Sequence, residues 1–479
     1  MQSNSSVKKS GTAKRVSRSL FSSFKEPSQS GWTAGASSGK SGIRIALIYF
    51  NAGGGHRAAA SALRAELARR HPGWDPQMVN LFDVLDPKHR FKRLTGFAPE
   101  HYYNQRLATG FTLGLAHELK VLQAMIRVLH KQLVARLMRF WQQTQPDMVV
   151  SLVPNFNRAI AAGLARQQPG TPFVTVMTDL ADYPPNFWAV PGHTEHLVCG
   201  TTHAYQQAVE LGIDSRLIHQ VSGMMLSPKF YEHGPLDQIE RVAQRSALGF
   251  GPDDVVGLVM FGGQGSSAMK HIAAALADQP LILMCGRHES LRQYLQSSRY
   301  HVKHHVVGFT DDVAHWMRLA DYFIGKPGPG SISEALHCGL PVIVTRNAWT
   351  MPQERWNTDF IRDNQLGCVV PGVADIAQAA QDVIAKLNHY RLRVRQFENR
   401  AIFEVAALIE TLMQQPQSGP TVALAVNQSS PKTWLSTQSS STARGRTAMT
   451  SRQSADADAG CVRLPHPAHV AGCSIGQNR

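Results

Sequence analysis

Three consecutive glycines followed by a histidine are the first residues of the chain whose types and spacing could support chemistry. The stretch FNAGGGHRAAASAL, residues 50–63, places Gly53, Gly54 and Gly55 between an apolar run and an alanine-rich run. Glycine costs conformational entropy, so this loop indicates that a ligand or another backbone approaches the main chain closely. His56 leaves the loop with a pKa naturally near neutral, which suits a general base or a group that polarises a hydroxyl. A histidine that only caps or packs its helix is the alternative.

Two further glycine-rich turns follow apolar runs later in the chain. FGGQGSSAMK (261–270) and GKPGPGSISEAL (325–336) each lead into a helical pattern. Free N–H groups at the start of a helix can bind a phosphate. None of the three turns is a P-loop or a dinucleotide-binding fingerprint. Tight packing between strand and helix would explain each turn singly, but the three together favour a diphosphate ligand.

The third turn carries the most chemical detail. Gly328 and Gly330 lead to Ser331, which we expect to cap the helix. Glu334, one turn further, could accept both hydroxyls of a ribose, or could serve only to favour the helix dipole. The segment TMPQERWNTDF (350–360) holds donors and acceptors suited to sugar hydroxyls, although a solvated helix start has a similar composition.

Alternating strand and helix patterns must position these turns. The apolar runs that predict buried parallel strands lie at 43–50, 147–154, 172–180 and 196–200, and then at 255–263, 280–286, 304–309, 321–326 and 341–346. Two such blocks predict an α/β protein with two doubly wound, Rossmann-like domains that face each other across a cleft. Asp179 ends one apolar run, where ligands bind in such sheets. It is therefore a rival to His56 as the base, or a partner that orients His56.

The composition excludes several classes of protein. The chain has 479 residues, of which 43% are hydrophobic and 17% are charged, as expected for a globular protein of two domains. No run approaches the roughly 20 apolar residues of a membrane-spanning helix. The six cysteines are scattered, so we predict neither a disulfide framework nor a metal site. The N-terminus lacks a signal-peptide core, which predicts a cytoplasmic location, with an organellar transit peptide as the alternative.

The net charge of +15 is distributed unevenly. Part of it lies in the Ser-rich segments 1–42 and 414–479, which we predict to be disordered tails. Residues 86–140 carry ten Lys and Arg against three acidic residues, among aromatic and aliphatic side chains. This composition suits an anionic membrane surface, while helical core packing explains the Leu and Met spacing of 119–141 equally well. No nucleic-acid recognition module is discernible, so we expect no nucleic-acid partner.

The ordered set of motifs resembles the family 28 glycosyltransferases, and within them the monogalactosyldiacylglycerol synthases and the processive diacylglycerol glucosyltransferases. The resemblance spans roughly residues 43–405. The stretches that carry it are FNAGGGHRAAASAL, VTVMTDLADYPPNFW (174–188), SGMMLSPKF (222–230), MCGRHESL (284–291), HHVVGFTDDVAHWMRLADYF (304–323), GKPGPGSISEALHCGLP (325–341) and MPQERWNTDFIRDNQLG (351–367).

The resemblance implies a GT-B fold with an acceptor domain at 43–226 and a nucleotide-sugar domain at 227–413. It implies inverting, metal-independent transfer of a hexose from UDP-galactose or UDP-glucose to a diacylglycerol-type lipid, without a cofactor. The enzyme would be peripheral on the inner, cytoplasmic membrane face. The residues assigned to the donor are Gly263, Gln264 and Gly265 beside the diphosphate, Arg287 on the nucleotide, Gly308 and Phe309 at uracil, Glu334 on the ribose, and Gln353, Glu354 and Asn357 on the hexose.

Two departures from the family pattern concern the substrates. Gln264 stands where an acidic residue is common, and VPNFN (153–157) stands where a second acceptor loop has His-Pro. A polyprenyl-linked or other acceptor is therefore an alternative to diacylglycerol. A UDP-sugar 2-epimerase of the same architecture is a further alternative, which the basic, lipid-facing segment disfavours. A non-catalytic nucleotide-sugar or membrane-binding protein is another, which His56, Asp179 and Glu334 disfavour.

Overall fold

The computed structural model describes residues 42–51, 54–88, 93, 115–232, 234 and 236–415. Gly53 and nearly all of the two predicted tails lie outside the described residues. So do residues 89–92 and 94–114, which hold most of the aromatic side chains of the basic segment 86–140.

The first domain is built on a parallel sheet of six strands. They are β1 (Ile43–Tyr49), β2 (Trp74–Asn80), β3 (Met148–Ser151), β4 (Phe173–Val176), β5 (His196–Cys199) and β6 (Ile218–Gln220), in the order β2-β1-β3-β4-β5-β6. Its described helices are α1 (Gly55–Arg70), α2 (Leu81–Leu85), α3 (Leu115–Val128), α4 (His130–Thr144), α5 (Asn157–Gln167) and α6 (Thr202–Glu210). The strand order reverses direction between β1 and β3, so a crevice opens at their carboxyl ends.

The second domain repeats this design. Its strands are β7 (Gly257–Met260), β8 (Leu281–Met284), β9 (His304–Val307), β10 (Tyr322–Gly325), β11 (Val342–Thr345) and β12 (Gly367–Val370), in the order β12-β11-β10-β7-β8-β9. Its helices are α7 (Lys229–Glu232), α8 (Gln238–Ala247), α9 (Ala268–Ala275), α10 (Glu289–Ser297), α11 (Val313–Leu319), α12 (Pro329–His337), α13 (Pro352–Asp363), α14 (Ile376–Ala385), α15 (Leu387–Val394) and α16 (Ala401–Gln414). Here the order reverses between β7 and β10, which are the strands that precede the second and third glycine turns.

Both faces of each sheet are covered by helices, which is why the strands read as continuous apolar runs. In β1, Ile45 and Leu47 pack on one face of the sheet. Ala46 and Ile48 pack on the other face, as the two-residue period of a strand requires. The predicted α/β class with two doubly wound domains is confirmed.

The last helix crosses back to the first domain, although the boundary 227–413 assigns it to the second. Ile402, Val405 and Ile409 of α16 are fully buried in the cluster that contains Ile45 and Leu47 of β1. The reason is that the apolar face of α16 completes the layer beside α1.

The two segments that connect the domains lie side by side. The backbone N–H of Ser222 donates to Glu404 Oε2 at 2.7 Å, and the N–H of Arg400 donates to Ser222 Oγ at 2.7 Å. Asn399 Nδ2 donates to the Met224 carbonyl at 2.9 Å. A β carbon at Gly223 would lie 2.9 Å from Asn399 Nδ2, so a larger residue would have to displace the amide that bonds Met224.

Candidate active site

The glycine turns lie where the strand order of each sheet reverses. The first turn follows β1, the second follows β7 and the third follows β10. Because ligands of doubly wound sheets bind in the crevice at such points, the turns mark the candidate site in both domains.

His56 is the second residue of α1. The helix starts from Gly54, whose φ of +84° favours glycine, and Gly54 and Gly55 are exposed with open space around them. The His56 ring is partly buried, and its Nδ1 lies 2.8 Å from the Thr178 hydroxyl oxygen. The ring also lies near Trp188, with 6.1 Å between centroids. The first turn is therefore open to a ligand, with His56 at its edge.

The His56 imidazole is neutral at physiological pH. Loss of hydration lowers its pKa to about 4, and a hydrogen bond with the backbone of Leu152 opposes this shift only in part. A neutral ring with Nδ1 beside a hydroxyl can hold or polarise a second hydroxyl, but it is a weak base.

Asp179 lies beyond the end of β4 and is buried. Its Oδ2 accepts a hydrogen bond from the indole Nε1 of Trp188 at 2.9 Å. The pKa of this carboxyl is raised to about 7, chiefly by burial; the Trp188 hydrogen bond and the charge of Lys326 oppose the shift, and the charges of Glu354 and Asp182 add to it. Asp179 is thus about half ionised near neutral pH, as suits a general base.

The expectation that Asp179 could orient His56 is wrong for this structure. Thr178 is the residue hydrogen-bonded to His56, whereas the Asp179 carboxylate is bonded to Trp188. The two candidate bases therefore have separate partners, because adjacent residues of one loop point to different neighbours.

Sequence reasoning missed the residues that hold Trp188 in place. Asp182 Oδ1 accepts the backbone N–H groups of Phe187 at 2.9 Å and of Trp188 at 2.8 Å. Asn157 Nδ2 donates to the Trp188 carbonyl at 3.0 Å, and Ser151 Oγ donates to Asn157 Oδ1 at 2.6 Å. Burial raises the pKa of Asp182 to about 6. A second acid inside TDLADY was the available signal.

The second turn is a close backbone packing. Gly265 has φ +68°, and a β carbon there would lie 2.4 Å from the Cys285 carbonyl oxygen. The N–H of Arg287 donates to the Gly263 carbonyl at 2.9 Å. Gly263 and Gln264 are exposed. The turn after β7 is therefore fixed against the turn after β8, with its outer edge accessible.

Arg287 and Phe309, both assigned to the nucleotide, lie together. The Arg287 guanidinium carbon is 3.8 Å from the centre of the Phe309 ring, and Phe309 is 48% exposed. The Gly308 position lies close to Arg292, with Cδ 3.2 Å from where a β carbon would be. An exposed aromatic ring covered on one side by a cation leaves its other side available for a base to stack.

The third turn corrects one expectation. Gly328, not Ser331, is the cap residue of α12, and Pro329 occupies the first helical position. Proline is favoured there because its fixed φ suits the helix and its missing N–H is not needed. Ser331 and Gly330 are thus inside the first turn, where backbone N–H groups have no helical acceptor. Glu334 is partly buried, and burial raises its pKa to about 7.

The three residues assigned to the hexose lie on α13 but differ in access. Gln353 is partly exposed. Glu354 is buried and accepts a hydrogen bond from Lys326 Nζ on Oε1 at 2.7 Å. Asn357 is fully buried, and its Nδ2 donates to the Pro327 carbonyl at 2.8 Å. In this structure Asn357 anchors the third turn to α13, and contact with a hexose would require it to become accessible.

The two domains meet at this site. Lys326 and Glu354 of the second domain act electrostatically on Asp179 of the first. The ring of His203 on α6 stacks on that of Trp356 on α13. The candidate base and the candidate sugar-binding helix are therefore in one cleft.

Two further properties concern the described residues as a whole. They contain no group of three or more His, Cys, Asp or Glu side chains that could hold a metal ion. None of their helices has both the length and the apolar character needed to cross a membrane.

Two family models match consecutive parts of the chain. Residues 56–223 match the model described as monogalactosyldiacylglycerol (MGDG) synthase, and residues 258–405 match the glycosyltransferase family 28 C-terminal domain. The two matches correspond to the two doubly wound domains.

Comparisons with individual proteins agree with the family models. A probable monogalactosyldiacylglycerol synthase 2, chloroplastic, of Oryza sativa subsp. indica is 29% identical, with 78% of this chain and 81% of the relative covered. Monogalactosyldiacylglycerol synthase 3, chloroplastic, of Arabidopsis thaliana is 28% identical, covering 78% and 83%. The crystal structure of Arabidopsis thaliana UGT89C1 complexed with quercetin has the same fold, with a TM-score of 0.52, 14% identity, and 77% and 98% of the chains covered.

The two facing Rossmann-like domains and these matches define a glycosyltransferase with the GT-B fold. Within that class, the resemblance to the family 28 glycosyltransferases, and to the monogalactosyldiacylglycerol synthases among them, is confirmed.

Proposed function

We propose that this glycosyltransferase moves a hexose from UDP-galactose or UDP-glucose to a diacylglycerol-type lipid, with inversion and without a metal ion. The names of its relatives support a galactolipid product. The observation that carries the proposal is that Asp179 of one domain lies within electrostatic range of the Lys326–Glu354 pair of the other. One domain supplies a carboxylate that can take a proton, and the other supplies groups suited to the donor.

This division between domains suits an inverting displacement. The acceptor oxygen must attack the sugar from the side opposite the departing diphosphate, so the base and the anion-binding groups have to lie on opposite sides of the sugar. The N–H groups at the start of α12, after Gly328, face developing negative charge on the diphosphate.

Asp179 is the base that we favour. Its pKa of about 7 combines sufficient basicity with a large ionised fraction at working pH. His56, with its pKa of about 4 and with Nδ1 at the Thr178 hydroxyl, is assigned to positioning the acceptor hydroxyl. A lipid hydroxyl between these two groups would give its proton to Asp179 as the bond to the sugar forms.

Helix α3 supports contact with a membrane. Val121, Met125 and Val128 are 66%, 46% and 83% exposed, and their spacing places them on one face of the helix. Lys120 and Arg127 are exposed beside them. Apolar side chains among cations are typical of a surface that binds anionic lipid.

The same helix is tied to the candidate site. Gln123 Nε2 donates to Asn155 Oδ1 at 3.0 Å, and the N–H of Asn155 donates to the carbonyl of Phe187. Phe187 precedes Trp188, which bonds Asp179. We therefore propose that the lipid acceptor reaches Asp179 from the α3 side.

The cytoplasmic membrane face remains our proposed location for the enzyme, while the relatives compared above carry chloroplastic names.

Release of UDP tests the proposal. UDP-galactose and UDP-glucose are supplied in parallel, with diacylglycerol in anionic vesicles, to the wild type and to Asp179→Asn and His56→Ala variants. We expect lipid-dependent release that falls by about 10²–10⁴-fold in Asp179→Asn, the range for loss of a general base. The exposed His389 provides a His389→Ala control that should keep wild-type activity. Donor binding without any acceleration by the lipid would refute the assigned acceptor.

A further inference from the structure

The ion pair between Lys326 and Glu354 joins the third turn to α13. Lys326 Nζ lies 2.7 Å from Glu354 Oε1, and the two side chains are 34% and 6% exposed. The carboxylate is therefore buried, whereas the lysine side chain is partly exposed. Removing one partner of such an ion pair is strongly destabilising, because the other partner remains as a buried and unpaired charge.

The ammonium also lies at the start of α12. A β carbon on Gly328, the cap residue of that helix, would be 3.4 Å from Lys326 Nζ and 3.5 Å from Glu354 Oε1. Lys326 thus adds a full positive charge at the positive end of a helix, an arrangement that repels a cation and attracts an anion. The ion pair with Glu354 offsets this cost.

Two other contacts keep the pair in place. Asn357, one turn after Glu354 on α13, is bonded to the carbonyl of Pro327, the residue after Lys326. On the opposite side of the cleft, the charges of Lys326 and Glu354 both act on the pKa of Asp179. A lysine side chain has a flexible four-carbon stem, while the backbone of the third turn is bonded to α13 through Asn357. A change of partner by Lys326 therefore needs only side-chain rotation.

We propose that donor binding divides this ion pair: Lys326 leaves Glu354 to bind the donor diphosphate, and the freed Glu354 carboxylate accepts hydroxyls of the hexose. This inference rests on the proposed function for its UDP-sugar donor. A diphosphate gives Lys326 charge-assisted hydrogen bonds in place of the one it loses. Hexose hydroxyls give the buried carboxylate the donors that it would otherwise lack.

The exchange makes UDP and UDP-hexose respond differently to the same substitutions. UDP alone would bind Lys326 but provide no hydrogen-bond donor to Glu354. Part of the binding free energy of UDP would then be lost, because the Glu354 carboxylate is left unpaired. A UDP-hexose satisfies both groups. Removing the Glu354 charge should therefore help UDP and harm UDP-hexose, whereas removing the Lys326 charge should harm both.

Calorimetric titration of the full chain with UDP, uridine, UDP-galactose and UDP-glucose tests this exchange. We expect Lys326→Gln to weaken the binding of UDP at least tenfold and to leave the binding of uridine unchanged. Lys326→Arg should keep most of the wild-type affinity for UDP. Glu354→Gln should bind UDP at least as tightly as the wild type but bind the preferred UDP-hexose at least tenfold more weakly. Lys386→Gln, at an exposed lysine after α14 and away from the strand ends, is the matched control.

Unchanged uridine affinity in the variants shows that they are folded. Wild-type UDP affinity in Lys326→Gln, or an equal loss of UDP affinity in Glu354→Gln and Lys326→Gln, would overturn the exchange while leaving the proposed transferase intact. A wild-type chain that binds neither UDP nor a UDP-hexose would refute the donor in the proposed function and this inference with it.

Discussion

The rings of His203 and Trp356 stack face to face between the two domains, with 4.5 Å between centroids and 5° between planes. His203 is on α6, whose Gln207 Oε1 accepts the backbone N–H of Asp182 in the loop that carries Asp179. Trp356 is on α13, two residues after Glu354. The stack therefore links the loop of the candidate base to the helix that we assign to the hexose.

Removing this stack should weaken catalysis without unfolding either domain. We expect Trp356→Ala and His203→Ala each to raise the KM for the donor and to lower kcat, because closure of the cleft loses a contact between flat rings. His203→Phe keeps a flat ring and should retain most of the activity. Steady-state kinetics decide this prediction, and equal kinetics for the alanine and phenylalanine variants would contradict it.

The raised pKa of Asp179 predicts opposite pH effects on activity and stability. A base with a pKa of about 7 is active when ionised, so kcat/KM should rise with pH up to about 7 and then level off. The folded state binds this proton more tightly than the unfolded state, whose carboxyl titrates near 3.8. The contribution of Asp179 to the free energy of unfolding is therefore most favourable at low pH and declines as pH rises from about 4 to 7.

The Asp179→Asn variant isolates this contribution from that of Glu334, whose pKa is raised in the same direction. At pH 8 we expect the variant to be more stable than the wild type, by about 2–4 kcal/mol for a shift of this size. Near pH 4 the difference should vanish. Denaturant unfolding at both pH values measures it, and a variant less stable than the wild type at pH 8 would contradict the prediction.

The hydrogen bonds below Trp188 should matter for both stability and rate. Asn157→Ala leaves the Ser151 hydroxyl and the Trp188 carbonyl buried without this partner. We expect a loss of about 1–3 kcal/mol in the free energy of unfolding, together with a lower kcat. Asn388→Ala, at an exposed asparagine beyond α14, should change neither quantity.

The exposed apolar face of α3 can be altered without disturbing the core. Val121→Gln combined with Val128→Gln should reduce sedimentation with anionic vesicles by several-fold and leave the unfolding midpoint unchanged, because both side chains are mostly exposed. Leu392, 62% exposed on α15, provides a Leu392→Gln control of matched chemistry. Equal loss of vesicle binding in the control would refute a specific role for α3.

The sequence was most informative about the strands in the middle of each sheet. All nine apolar runs contain a strand, whereas β2, β6 and β12 were missed. All three lie at the edge of a sheet. In addition, β2 contains Asp75, Pro76 and Gln77, and β6 has only three residues. An edge strand needs less apolar surface, so its composition is close to that of a loop.

Topology could be read from the sequence at the site, but side-chain partners could not. The glycine turns and Asp179 follow the carboxyl ends of strands, as doubly wound topology requires, whereas Glu354 lies in α13. The bond from Thr178 to His56, the Asp182 network and the Lys326–Glu354 pair depend on contacts between distant segments, and no local pattern encodes them. The donor and acceptor roles of these residues stay predictions.

Helix α16 also depends on distant contacts, and its removal should be severe. A chain ending at residue 400 would lack Ile402, Val405 and Ile409. The core side chains of the first domain that these residues cover would then be exposed to water. We expect such a chain to fail to fold, whereas residues 43–415 should fold and retain activity. Ile409→Ala should cost about 2–5 kcal/mol in the free energy of unfolding. Cooperative unfolding of the shorter chain with wild-type stability would contradict this prediction.

The return of α16 also sets an order of events during protein synthesis. The ribosome makes β1 and α1 long before residues 401–412, which cover the same cluster of apolar side chains. The first domain must therefore wait, with one apolar surface open, until the whole second domain has been translated. Assembly of this chain on the ribosome cannot run simply from the first domain to the second, because its first domain is completed last.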